Sequence, residues 1–157
     1  NRVNSVVSDF ATDSRVKSVT DDPTACQYLT KELQLESAAT SIKIILSGHT
    51  NPHAKIRAFY AVGNDPGFEP IFTPFPGFDN LNNRGEMIAR QKSDGLPDRA
   101  SIPSNQYGFG DNATFKEFTF TADKLPTFRY YRIKLLLTST SQVFVPKVKD
   151  LRVMALA

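Results

Sequence analysis

The sequence predicts an all-β domain, an antiparallel β-sandwich of jelly-roll-like type with about seven to nine strands and little helix. Three observations carry this. Apolar residues recur at every second position in segment after segment, and side chains along a strand alternate between its two faces. No segment holds a 3.6-residue apolar stripe over three turns. The aromatic content is 12 Phe and 5 Tyr with no Trp, and rings of this kind favour strands.

The elements follow in order. Residues 1–24 (NRVNSVVSDFATDSRVKSVTDDPT) are polar and mixed, and read as an arm or interdomain connector. The sandwich is expected over 25–157. From Tyr28 to Glu36, Leu29, Leu33 and Leu35 mark one face and Thr30, Glu32 and Gln34 the other, with Lys31 a misfit on the inner side. Ser37-Ala38-Ala39-Thr40 reads as a short turn. Ile42, Ile44 and Leu46 line the next strand. Ile56, Ala58, Tyr60 and Val62 then alternate with Lys55, Arg57 and Phe59. Strand spacings of roughly 12–14 residues without helical patterns between them argue against βαβ units.

The stretch 63–112 differs, holding seven of the eight glycines and six of the ten prolines. It reads as a long excursion (63–114), and such connections in compact domains are usually functional or poorly ordered. Short strands are expected at Phe68–Phe72 and Met87–Arg90. Alternation returns at Thr114–Thr121, with Phe118 and Phe120 inward. From Arg129 to Leu137, Tyr131, Ile133, Leu135 and Leu137 face the core, while Arg132 and Lys134 project to water. Val148–Leu156 closes the chain with Leu151, Val153 and Ala155 on one face. These last two strands read as a closing hairpin. Pro126 and Pro146 limit unwanted ladder pairing near it.

At 157 residues the chain is long enough to bury a core without a disulfide or metal. The single cysteine, Cys26, forms no internal disulfide. No apolar run approaches the ~20 residues of a membrane helix, and no signal peptide opens the sequence. The net charge of +3 is dispersed, unlike the basic stripe of a nucleic-acid binder. Neither a nucleic-acid nor a membrane partner is expected.

Catalytic constellations do not assemble on paper, and no enzyme activity or cofactor is expected. His49 and His53 flank Pro52 in a turn, and zinc needs a further ligand. Ser nucleophiles lack a Gly-x-Ser-x-Gly elbow. Glu69, Asp79 and Glu86 leave a carboxylate pair of the glycosidase kind open. Asp79, Asn80, Asn82 and Glu86 are oxygen donors in one run, a weak calcium candidate against an ordinary Asn/Gly turn. Tyr107 and Phe109 are weak glycan-stacking candidates. Phe10, Phe68, Phe72, Phe75 and Phe78 read as packing or subunit-contact residues, because sugar platforms favour Trp and Tyr, which join a flat face to a polar handle.

Several phrases resemble a known family. They are TDDPTACQYLTKELQLESAATSIKIILSGH from Thr20 to His49, KIRAFYAV from Lys55 to Val62 and FPGFDN from Phe75 to Asn80. The chain closes with KEFTFTADKLPTFRYYRIKLLLTSTSQVFVPKVKDLRVMALA from Lys116. Their order is similar to a β-sandwich domain of virion structural proteins of tailed bacteriophages, of the marine and cyanobacterial type. The chain departs from that pattern at Cys26 and in the length of its middle segment. The resemblance implies a non-enzymatic tail, baseplate or fibre component that is located in the virion. Its implied partners are other virion proteins, in a homo-oligomer or multi-copy assembly. The alternative is a carbohydrate-binding module recognising host-surface glycans.

Overall fold

A computed structural model describes residues 27–49, 54–81, 84, 87–89, 94–98, 116–139 and 147–156. The arm at 1–24 and Cys26 lie outside them. The described residues form no helix. The strands are β1 (Gln27–Leu29), β2 (Leu33–Ala39), β3 (Ser41–His49), β4 (Ala54–Gly63), β5 (Thr73–Pro74), β6 (Phe78–Leu81), β7 (Met87–Ala89), β8 (Lys116–Ala122), β9 (Phe128–Ser139) and β10 (Lys147–Leu156). Two antiparallel sheets pack as a β-sandwich. The larger runs β1–β9–β4–β5, with β2 also paired to β9. The smaller runs β10–β3–β8, and β6 pairs with β7 apart from both. The connections from β2 to β3, β3 to β4, β8 to β9 and β9 to β10 each change sheet, in the manner of a jelly roll.

The alternation places the core as expected. Ile42, Ile44, Leu46, Phe118, Phe120 and Ala122 of the smaller sheet meet Ile56, Ala58, Tyr131, Ile133 and Leu135 of the larger. The Phe75 ring fills this core edge-on, 5.1 Å from Tyr60 and 6.1 Å from Phe120 between centroids. Leu151, Val153 and Ala155 pack on its margin.

Four expectations about strands and turns are corrected. The closing hairpin does not exist: β9 pairs with β1, β2 and β4, and β10 pairs with β3. The two strands face each other across the core, since both carry an apolar face and the alternation does not name the ladder partner. The strand expected at 28–36 is broken. Thr30 supplies both a backbone N–H to Ile133 O (3.0 Å) and its hydroxyl as acceptor for Ile133 N–H (2.9 Å). Tyr28 therefore sits opposite Leu135 on the core face, Leu29 packs in the opposite layer, and Lys31 is exposed. The turn expected at 37–40 is mostly strand, with Ala39 buried and only Thr40 bending. Phe68–Phe72 is not a strand; the ladder partner of β4 there is Thr73–Pro74, an edge position that tolerates proline.

Lys134 overturns the idea of a wet outer face on β9. It is fully buried, with Nζ 5.1 Å from the Phe72 ring centroid and 5.6 Å from that of Phe59. Phe59, Ala61, Phe72 and Leu136 form a second apolar cluster on this outer side, joined by Leu29 and Phe68. The larger sheet is thus covered on both faces. Aromatic faces attract a cation within about 6 Å, which offsets part of the cost of burying the ammonium.

Candidate functional site

The two long sides of the sandwich differ. On the β4–β8 side the segment 94–98 closes the gap. Gly95 N–H donates to Phe75 O (3.1 Å), and Gly95 O accepts from Ala58 N–H (2.9 Å). Gly95 has φ +79, and a Cβ there would lie 2.8 Å from Ala58 O, so backbone approach and backbone conformation both demand glycine. Asp98 is buried beside β8. Its N–H donates to Thr119 O (2.8 Å), and its carboxylate accepts from the Thr121 hydroxyl (2.8 Å). Arg57 donates to Asp94 O (2.9 Å).

No described segment closes the opposite side. A cleft of about 320 Å³ runs between the sheets there, lined by Tyr28, Leu135, Leu137, Val148, Asp150 and Leu151. It exists because β1 is only three residues long and β10 is the last strand of its sheet. Tyr28 is 53% exposed and Val148 37%. On the outer face of β10, Met154 is 40% and Leu156 54% exposed. A surface of this kind on an edge strand is a template for association.

A second, polar depression of about 260 Å³ lies on the outer face of the smaller sheet. Ile45, Ser47, Glu117, Asp150 and Arg152 line it. Ser47 is opposite Glu117 on one flank and Asp150 on the other, so a hydroxyl stands between two carboxylates. Strand spacing sets the two acidic backbones about 10 Å apart. Arg152 Nε is 3.5 Å from Asp150 Oδ2, and both side chains are more than half exposed (73% and 56%). Such a pair contributes about 0–1 kcal/mol and leaves both groups available to another molecule.

The residues singled out from the sequence are distributed differently. Phe72, Phe75 and Phe78 are buried within this chain, and Phe68 is half-buried against the outer cluster. Their rings pin the excursion to the sandwich. Asp79 and Asn80 fall on β6, but their side chains, with Asn82 and Glu86, lie outside what is described. So do Phe10, Tyr107, Phe109 and His53. His49 ends β3. Among the described residues, no three His, Cys, Asp or Glu come together as a metal cage.

Sequence reasoning missed the open side, the buried Asp98 and the buried Lys134. For Lys134 a signal was present. Its face also carries Leu136, with Phe59 and Ala61 on the neighbouring strand, which is too apolar for a solvated face. No family model, curated protein or solved structure matches the chain.

Proposed function

We propose that this chain is a non-enzymatic structural domain of a tailed-bacteriophage virion, in the tail, baseplate or fibre, acting through protein–protein contacts. The observation that carries the contact reading is the open side of the sandwich. There Tyr28, Val148, Met154 and Leu156 are exposed, where a strand edge without a described partner and apolar side chains coincide. The phage assignment rests on the phrases from Thr20 to His49 and from Lys116 to the end, which resemble such virion domains.

A carbohydrate-binding function receives less support. Among the described residues that line the polar depression none carries an aromatic ring, and sugar faces stack on rings.

The test is mass spectrometry of washed, gradient-purified particles from the phage that encodes the sequence. Several copies per particle, with β1 and β10 protected from hydrogen exchange in the particle, are expected. A chain found in the lysate but absent from the particles removes the proposal. A glycan array run on the same protein is expected to be blank; a specific hit favours the carbohydrate reading instead.

A further inference from the structure

We propose that β10 pairs with β10 of a second copy of this chain, antiparallel about a two-fold axis through Leu151. The result is one continuous six-stranded sheet, because each copy contributes the three strands β8, β3 and β10. This rests on the protein-contact part of the reading above, not on its phage origin.

The edge of β10 that no described strand pairs is self-complementary in one register. Opposite-charge pairs directly across an antiparallel ladder are favourable and like-charge pairs are not. With the axis at Leu151, Asp150 comes opposite Arg152 of the second copy, twice by symmetry. Both residues lie on the outer face, since their β3 partners are Ser47 and Ile45, and both are more than half exposed. Moving the axis to Asp150 sets two carboxylates face to face. Moving it to Arg152 does the same to two guanidinium groups. A two-fold normal to the sheet preserves faces, so single-residue half-steps between these are barred.

The core side agrees. Leu151 meets Leu151 of the second copy. The ladder shifts by one residue between Val148 and Asp150. With that bulge retained, Val148 comes opposite Val153 of the second copy, both on the core face, where their β3 partners are Gly48 and Ile44. Those residues then reach the mouth of the cleft that Tyr28, Val148 and Leu151 line. The apolar exposure of the open side and the charge pattern of the edge thus have one explanation.

The experiment is sedimentation velocity on the full chain over a concentration series, with circular dichroism and thermal melts on every variant. The wild type is expected to dimerise. Asp150→Arg brings a second guanidinium group opposite Arg152 and is expected to weaken the dimer about 30-fold, from two cross-strand pairs reversed in sign. Asp150→Arg with Arg152→Asp restores opposite charges and is expected to restore the dimer. A wild type that stays monomeric at all concentrations overturns the pairing while leaving particle incorporation, measured separately, standing. A folded double variant that remains monomeric overturns the register. A single variant that dimerises like the wild type does the same.

Discussion

Replacing Gly95 by Ala tests whether the segment 94–98 closes the β4–β8 side. Two costs apply at this position. A left-handed backbone costs an L-residue about 1–2 kcal/mol. The added Cβ would lie 2.8 Å from Ala58 O, 3.2 Å from Ala58 N and 3.3 Å from Arg57 Cβ. Two of those three atoms are backbone of β4, which is paired on both sides and cannot move aside cheaply. The segment must lift, stretching the Ala58 N–H to Gly95 O bond, worth about 1 kcal/mol. The total, less about 0.5 kcal/mol for the stiffer unfolded chain, is about 1.5–2.5 kcal/mol. Gly67 supplies the control. Its φ is +72, but an added Cβ there meets nothing within 4 Å, so Gly67→Ala carries the conformational cost alone. Urea unfolding of the two variants at equal pH measures the difference. Gly95→Ala should be the less stable by at least about 1 kcal/mol. Equal midpoints would refute the seating of this segment on β4.

Other outcomes follow from the same structure. Phe120→Ala empties the centre of the core, where the ring is fully buried against Phe75, and should cost about 3–5 kcal/mol in urea unfolding. Thr121→Val removes a hydroxyl that donates to the buried Asp98 carboxylate at 2.8 Å. The expected loss is about 1–3 kcal/mol in urea unfolding. Burial raises the pKa of the Tyr60 and Tyr131 hydroxyls above the usual 10.0. The unfolded chain then loses these protons first, so stability is level below pH 10 and falls as pH rises beyond it. Tyr60→Phe should flatten that fall in melts taken from pH 8 to 11.

Local alternation was enough to place the core face of β3, β4, β8, β9 and β10. Ile42, Ile44, Leu46, Phe118, Phe120, Ile133 and Leu135 all lie in the core as their spacing requires. What alternation does not encode is the partner across the ladder. β9 and β10 are sequence neighbours with matching apolar faces, yet they belong to opposite sheets. Nor does it encode what lies over the second face of a strand. Lys134 reads as solvated because charge marks a wet position, but Phe72 comes from 62 residues upstream to cover it. The candidate edge was illegible for the same reason. Asp150 and Arg152 are an ordinary charged pair in sequence, and only the topology makes their strand the last in its sheet.

The arrangement of the smaller sheet also dictates an order of events at the ribosome. Its middle strand, β3, finds partners only in β8 and β10, and the Ser41 hydroxyl bonds Leu156 O across 115 residues. Contacts so distant in sequence slow folding, because chain closure must precede any gain from pairing. During synthesis β3 therefore waits with both ladder edges unpaired, one until residues 116–122 emerge and the other until 147–156 do. Ile42, Ile44 and Leu46 are aggregation-prone through that interval. A nascent chain stalled before β8 should bind a chaperone strongly, and release past β10 should end the binding.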